Sequence, residues 1–159
     1  RLVSSGKVNA VVTQNIDGLH TRAGVPQDRL IEIHGNATFA TCLDCGKRHE
    51  LDAAEATIAA TGASPRCDCG GLIKAAVISF GQAMPTREME RAEEAIHEAD
   101  LFVSVGSSLT VQPAATLPLI AKYHGARLVI VNGEATPLDH VAYAVLRGSI
   151  GTVFSRLGG

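Results

Sequence analysis

Apolar residues are concentrated in short runs along the 159-residue sequence, and polar residues follow directly after several of these runs. Four of the runs are rich in aliphatic residues and do not alternate strictly with polar ones, which is typical of parallel strands covered on both faces. The four predicted strands cover residues 8–13, 30–33, 101–105 and 127–131.

Two helices are predicted between these strands. Residues 86–99 place Met89 and Ile96 on one face, with most of the glutamates turned away from it. A second helix is predicted over residues 114–124, where Gly125 ends it. The alternation of strands and helices predicts an α/β domain with a doubly wound, mostly parallel sheet.

All four cysteines lie in one segment that interrupts this alternation. We interpret residues 38–75 as an inserted zinc-binding module, and residues 1–37 and 76–159 as the α/β domain.

The cysteines form two pairs, Cys42 with Cys45 and Cys67 with Cys69, and glycine follows each pair. Two tight turns of this kind supply four sulfurs to a closed tetrahedral zinc site, which has no open position for catalysis. The alternatives are two disulfides or unrelated buried thiols. A disulfide between Cys67 and Cys69 would be strained, and the sequence has no secretory feature. The second pair is one residue shorter than usual.

Polar residues follow the first two predicted strands. Gln14, Asn15, Ile16 and Asp17 come directly after the first, at the end of a parallel strand where ligands bind in open α/β sheets. An ordinary turn explains the same residues equally well. His34 follows the second strand and could act as a general base. Taken alone, a histidine in this position favours a structural role.

The last two predicted strands also end in polar or small residues. Gly106, Ser107 and Ser108 would let a phosphate approach the backbone. Asn132, Gly133 and Glu134 offer an acidic partner for ribose hydroxyls. The sequence lacks both G-x-G-x-x-G and G-x-x-x-x-G-K-[ST], which argues against ordinary Rossmann dehydrogenases and P-loop enzymes.

The overall composition narrows the function classes. A formal net charge of −2 and a pI of about 6.3 provide no basic surface for direct nucleic-acid binding. No apolar run is long enough for a membrane span, and no signal peptide is visible, so we expect a cytoplasmic protein. The sequence begins at Arg1 within a helix-like stretch, and we expect a further segment to precede it.

Taken in order, these motifs resemble the sirtuins, the NAD-dependent protein lysine deacylases. The eight residues 13–20, Thr-Gln-Asn-Ile-Asp-Gly-Leu-His, are the most specific part of the resemblance. His34-Gly35, the four cysteines and three later segments complete it. Those segments are residues 78–82, residues 106–109 with 113–115, and residues 129–132.

The resemblance implies a Rossmann-like fold with a small zinc-ribbon insert, a structural zinc ion and NAD as co-substrate. The family's first strand and glycine-rich loop have no counterpart in this sequence, so we expect them before Arg1. The implied reaction removes the acyl group from a lysine of a protein or peptide, transfers it to ADP-ribose and releases nicotinamide.

The resemblance also implies roles for particular residues. His34 would be the general base, with Asn15 and Asp17 as further catalytic residues. NAD would contact Gln14, Asn15, Ile16, Asp17, Gly106, Ser107, Ser108, Asn132, Gly133, Glu134, Ser149 and Ile150. The acyl-lysine peptide would bind along Ile78, Phe80 and Gly81. The zinc ligands would be Cys42, Cys45, Cys67 and Cys69.

Two other functions remain open. The same early NAD chemistry serves mono-ADP-ribosyl transfer or NAD hydrolysis, and a zinc-containing module could bind partners without catalysis. The sequence departs from the family at Gln82, where glutamate is common, and at Ser107, where threonine is common. The loss of a charge at Gln82 bears on peptide preference.

Overall fold

The computed structural model describes residues 2–79 and 81–157. The chain forms two compact units, Arg1–Met89 and Glu90–Gly159. Within the described residues the strands form three sheets. Helix α3, Thr86–His97, begins in the first unit and ends in the second.

The first unit opens with a parallel pair of short strands, β1 (Val11–Thr13) and β2 (Leu30–Glu32), joined through helix α1 (Leu19–Arg22). Both strands lie within the predicted runs but are shorter. Ile31 and Ile33 are almost fully buried, at 2% and 1% exposure, so the second strand forms the core of this pair.

An antiparallel sheet follows, and it includes the cysteine segment. Its strands are β3 (Gly35–Cys42), β4 (Arg48–Glu50) and β5 (Ile73–Val77), in the order β4-β3-β5. Helix α2, Leu51–Thr61, was not predicted, because its apolar residues do not form a marked stripe and only Ala54 is buried. The boundaries of the module at 38–75 stay a prediction.

The second unit has a parallel sheet in the order β6-β7-β8. Leu128 and Ile130 form its core together with Leu109. Its strands are β6 (Leu101–Val105), β7 (Arg127–Asn132) and β8 (Ala144–Arg147), and its helices are α4 (Leu117–Tyr123) and α5 (Ile150–Leu157), with 3-10 turns at Ala114–Thr116 and Asp139–Val141.

Strand β6 differs from the prediction in its burial. Leu101, Val103 and Val105 are 50%, 42% and 39% exposed, whereas Ser104 is buried. The strand lies at the edge of its sheet, and the apolar cluster packs against the side that carries Phe102. Only one face of β6 is therefore well covered. None of the described helices is long and apolar enough to cross a membrane.

Gly35 marks the point where the chain passes from the parallel pair into the antiparallel sheet. Its φ is +77°, and a Cβ built on it would lie 2.0 Å from the Ala76 carbonyl oxygen. Gly62 has a similar φ of +67°, but nothing lies within 4 Å of its Cβ position. The two glycines therefore separate the effect of the left-handed backbone from that of the close approach.

We predict that Gly35→Ala lowers the free energy of unfolding by more than about 3 kcal/mol, because backbone strain and the clash add. Gly62→Ala should lower the free energy of unfolding by only about 1–2 kcal/mol, which is the cost of a left-handed backbone conformation for alanine. Urea unfolding followed by circular dichroism measures both. Equal losses in the two variants would contradict the importance of the close approach.

Candidate functional site

His34 lies at the carboxyl end of the parallel pair, next to the end of β1. The register places Thr13 opposite Glu32, and the Ile33 amide donates to the Thr13 carbonyl at 3.1 Å. Nδ1 of His34 then lies 3.2 Å from the Gln14 carbonyl oxygen. A carbonyl can only accept, so this bond requires the proton on Nδ1 and leaves the lone pair on Nε2. The half-buried imidazole is therefore oriented as a base.

The loop after β1 is held by hydrogen bonds of backbone amides to side-chain and backbone oxygens. The Asn15 amide donates to Thr13 Oγ1 at 3.1 Å, and the Ile16 carbonyl accepts from the Ala37 amide at 2.8 Å. The Asp17 carboxylate accepts from the Leu19 amide at 3.0 Å, at the start of α1. Asp17 thus has the turn role that the sequence left open, and its ligand role stays a prediction.

The side chains of this loop are exposed, and they do not join His34 directly. Asn15, Ile16 and Asp17 are all exposed. In the described part of the chain, neither Asn15 nor Asp17 hydrogen-bonds His34. The structure therefore brings Gln14 to His34 through its carbonyl, and leaves the other loop side chains free to face solvent or a ligand.

Asn36 was not predicted as part of the site, yet its side chain links β2 to β3. It is 6% exposed, and its Nδ2 donates to Glu32 Oε1 at 2.8 Å. Its Oδ1 accepts from the Thr38 amide at 2.8 Å and from Thr38 Oγ1 at 2.6 Å. The sequence signal is weak, because Asn36 is one of several polar residues in β3, together with Thr38 and Thr41.

The segment after β5 reaches His34 through the backbone. β5 pairs antiparallel with β3, with Gly35 opposite Val77, and the Ile78 amide donates to the His34 carbonyl at 2.9 Å. Ile78 is half-buried, and Gly81 is exposed with a φ of +82°. The third predicted substrate residue, Phe80, lies outside the described residues.

Gln82 closes the turn that follows Ile78. Its amide donates to the Ser79 carbonyl at 3.0 Å, and its Oε1 accepts from the Ser79 amide at 3.2 Å. Lys74 Nζ lies 3.4 Å from the same Oε1 and donates to the Val77 carbonyl at 2.6 Å. A neutral amide at position 82 therefore satisfies the turn without a charge.

The four cysteine sulfurs lie together, all within 4.8 Å of one another. The Cys42 and Cys69 sulfurs are 3.5 Å apart, and those of Cys45 and Cys67 are 3.8 Å apart. Zinc–sulfur bonds of about 2.3 Å in a tetrahedron imply sulfur separations of about 3.8 Å. No disulfide joins these four cysteines, and the arrangement could hold a tetrahedral metal ion.

Backbone amides donate to two of the sulfurs, those of Cys42 and Cys69. The Cys45 amide is the largest influence on the Cys42 thiol and lowers its pKa to about 7. The Gly71 amide acts in the same sense on Cys69, but the thiols of Cys45 and Cys42 outweigh it. With burial, they raise the pKa of Cys69 to about 12. Ionisation of all four thiols at this distance would be favoured by a cation between them.

An ion pair joins the two cysteine turns. Lys47 Nζ lies 2.6 Å from Asp68 Oδ2, which raises the pKa of Lys47 and lowers that of Asp68. Both side chains are exposed, so this pair adds little stability by itself.

In the second unit, Leu109 anchors the loop after β6, in which Ser107 is half-buried and Ser108 is exposed. Leu109 is 7% exposed and has a φ of 56°, and its amide donates to Ser107 Oγ at 3.2 Å. A Cβ on Gly106 would lie 2.7 Å from Ile150 Cδ1, so Ile150 rests against this loop. The predicted NAD residues Gly106 and Ile150 are therefore neighbours.

The other predicted NAD residues of this unit lie at the same edge of its sheet. Asn132 ends β7, and its Nδ2 donates to the Glu134 carbonyl at 3.0 Å. Gly133 and Glu134 are exposed. Ser149 Oγ accepts from the Thr152 amide at 3.2 Å and so caps α5. Ser149 therefore has a structural role, and its adenine contact stays a prediction.

A parallel sheet that presents three loops at one edge, and a cluster of four cysteines in a small antiparallel sheet, define an α/β protein with a zinc-ribbon type of insert. Residues 1–113 match the profile of the family described as "Sir2 family". The match covers most of the chain, and the chain belongs to the Sir2 family.

Individual relatives agree with this assignment. The chain is 48% identical over 151 residues to an NAD-dependent protein deacetylase of Rhodopseudomonas palustris, covering 94% of the chain and 60% of the relative. It is 44% identical over 150 residues to an NAD-dependent protein deacetylase of Haloarcula marismortui, covering 94% of the chain and 57% of that relative. The chain thus spans about three fifths of the curated relatives it matches.

Solved structures give the same result for the fold. One described as "Sir2 bound to acetylated peptide" matches with a TM-score of 0.90 and 36% identity, over 98% of this chain and 65% of that one. Another, described as "Sir2-p53 peptide-NAD+", matches with a TM-score of 0.89 and 36% identity, over 98% and 64%. These matches confirm the predicted fold class, a Rossmann-like fold with an inserted zinc-ribbon module.

We predict that Asn36→Ala lowers the free energy of unfolding by about 1–3 kcal/mol, because it removes the hydrogen bonds that the buried Asn36 side chain makes to Glu32 and Thr38. Thr38→Val is the matched control, since it removes one hydroxyl partner and keeps the Thr38 amide bond. It should cost less than about 1 kcal/mol. Urea unfolding measures both, and an Asn36→Ala loss no larger than that of Thr38→Val would contradict the central role of Asn36.

Proposed function

We propose that the protein containing this chain is an NAD-dependent protein lysine deacetylase, which transfers the acyl group to ADP-ribose and releases nicotinamide. The observation that supports this function most directly is the orientation of His34. Its Nδ1 is committed to the Gln14 carbonyl, and its Nε2 keeps a lone pair. The names of the relatives, NAD-dependent protein deacetylases, point the same way.

His34 would act as the general base. A neutral imidazole accepts a proton at Nε2 while the Gln14 carbonyl stabilises the imidazolium that forms, because Nδ1 remains a donor to it. The proton would come from a ribose hydroxyl of NAD, which then becomes the acyl acceptor. Asn15 and Asp17 would serve the nicotinamide and ribose end from the exposed loop after β1.

We propose NAD-contacting residues in each unit, taken by itself. In the first unit these would be Gln14, Asn15, Ile16 and Asp17. In the second unit they would be Gly106, Ser107, Ser108, Asn132, Gly133, Glu134, Ser149 and Ile150. The exposed Ser108 and the small residues of the 106–108 loop suit phosphates, and the exposed Glu134 suits a ribose diol.

The acyl-lysine peptide would bind along Ile78, Phe80 and Gly81 by adding a strand. β5 lies at the edge of its sheet, and the segment that follows it bonds through the Ile78 amide to the His34 carbonyl. A peptide strand there would bring a modified lysine to the general base. A pure NAD hydrolase needs no such peptide site.

Cys42, Cys45, Cys67 and Cys69 would hold a structural zinc ion. Four sulfur ligands close the coordination shell, so the metal would stabilise the antiparallel sheet and take no part in the reaction. The four cysteines are free of disulfides, which also suits a reducing, cytoplasmic location.

We predict that His34→Ala in the full-length protein lowers kcat for an acetylated peptide by about 10²–10⁴-fold, because the ribose hydroxyl loses its base. His124→Ala is the matched control, since His124 is exposed at the end of α4. Two assays test the function. The first measures deacetylation of an acetylated peptide, and the second measures nicotinamide release with and without that peptide.

Two outcomes would count against the proposal. Unchanged turnover in His34→Ala would remove His34 from the chemistry. Nicotinamide release that proceeds equally without peptide would indicate NAD hydrolysis and contradict deacetylation.

We predict one zinc ion per chain. Its removal by a chelator should lower hydrogen-exchange protection in β3–β5 by at least about tenfold, because metal binding and local folding are coupled. The amides of β6–β8 should keep their protection. Elemental analysis and hydrogen-exchange mass spectrometry measure the two effects. Recovery of metal-free protein with disulfide-bonded cysteines and an intact β3–β5 sheet would contradict the zinc site.

A further inference from the structure

Arg147 connects the end of β8 to the loop that follows β7. The register pairs Asn132 with Arg147 across the two strands. From this position Nη1 of Arg147 donates to the Glu134 carbonyl and lies 3.5 Å from the Asn132 carbonyl, while Nη2 pairs with Asp139 Oδ2. One side chain therefore contacts the beginning, the middle and the far end of the same loop.

Asp139 is fixed from two sides. Its Oδ2 accepts from the Thr136 amide at 3.1 Å, and its Oδ1 accepts from Thr136 Oγ1 at 2.7 Å. These bonds, joined by the charge of Arg147, lower the pKa of Asp139, so the carboxylate stays ionised. Thr136 is 8% exposed, so the network is anchored at a buried point.

The Glu134 carbonyl receives two donors, Arg147 Nη1 and Asn132 Nδ2, the latter at 3.0 Å. The main chain of residues 132–134 is therefore held on both sides. The carboxylate of Glu134 is not used in these bonds, and the residue is exposed. The loop thus has a fixed backbone and an acidic side chain that remains available to a ligand.

We infer that Arg147 and Asp139 are positioning residues for the adenosine half of NAD, and that they act by holding the main chain of residues 132–134 in the ligand-competent form. This inference rests on the proposed function, in which Asn132, Gly133 and Glu134 contact that half. A loop ordered in advance avoids the entropy cost of ordering on binding. Such a contribution affects NAD binding and leaves the chemical step unchanged.

The geometry requires an arginine. The planar guanidinium donates to carbonyl groups through one nitrogen and to a carboxylate through another, in fixed directions. A lysine ammonium at position 147 keeps the charge but lacks this fork. Lysine should therefore restore only part of the function.

The test compares Arg147→Met, Arg147→Lys and Asp139→Asn in the full-length protein. Arg127→Met is the matched control, because Arg127 is an exposed arginine at the opposite end of β7, over the Tyr143 ring. The measurements are the KM for NAD, kcat at saturating NAD, the KM for acetylated peptide, and the Kd for ADP-ribose by calorimetry. Hydrogen exchange reports the order of residues 133–138.

We expect Arg147→Met to raise the KM for NAD and the Kd for ADP-ribose about tenfold, the change that corresponds to 1.4 kcal/mol. The kcat and the peptide KM should stay within about twofold, and exchange in the loop should quicken. Arg147→Lys should give an intermediate loss of about threefold, and Arg127→Met none. If Arg147→Met does not fold, Asp139→Asn provides the same readouts, with raised ADP-ribose Kd and unchanged kcat expected.

The inference is overturned if the loop exchanges faster while ADP-ribose binds within twofold of wild type. It is also overturned if kcat falls as far as the NAD affinity. Failure of the wild-type protein to bind ADP-ribose would instead overturn the proposed function, on which the inference rests. The control separates a general loss of positive charge from the loss of this particular contact.

Discussion

The close approach of Gly35 to the Ala76 carbonyl is the constraint on which the first unit depends. Because position 35 has no Cβ, the chain leaves β2, presents His34 and enters the antiparallel sheet within a few residues. The Ile78 amide then bonds to the His34 carbonyl. The imidazole, the strand that leads to Cys42 and the end of β5 therefore all lie next to this one close backbone approach. A side chain at position 35 would move all three.

In the second unit, side chains hold the loops of the candidate site in position, whereas the first unit uses a close backbone approach. Parallel register brings the loops after β6, β7 and β8 to one edge. Buried Leu109 anchors the first loop, and Ile150 packs against it at Gly106. Arg147 anchors the second loop. Loops held at several points remain in place while their polar groups stay accessible, as ligand binding requires.

The sequence predicted those features that depend on local chemistry. The Val- and Ile-rich runs became β6 and β7, starting at the predicted residues, and the cysteine spacing brought four sulfurs together. His34 was placed at a strand end because the run before it is apolar.

What the sequence did not predict depends on contacts between distant segments. β8 has only four residues, which are too few for a periodic signal, and it exists because β7 provides a pairing edge. The roles of Asn36 and Arg147 require strand register, which no short motif encodes. The sequence left a turn role open for Asp17. For Ser149 it predicted only a contact with NAD. Both residues have types that favour turns and caps, so local chemistry alone could not separate a cap from a ligand contact.

The short spacing of the second cysteine pair is combined with a close contact from a residue just after it. Cys67 and Cys69 are separated by one residue fewer than usual, yet their sulfurs lie at distances that suit a tetrahedral metal site. A Cβ on Gly71 would lie 2.6 Å from the Cys42 sulfur. Glycine at this position therefore lets the second turn approach the first more closely than any other residue could. The close approach at Gly71 therefore accompanies the shorter spacing between Cys67 and Cys69. A metal site depends on the residues that follow each cysteine pair as well as on the spacing within the pair.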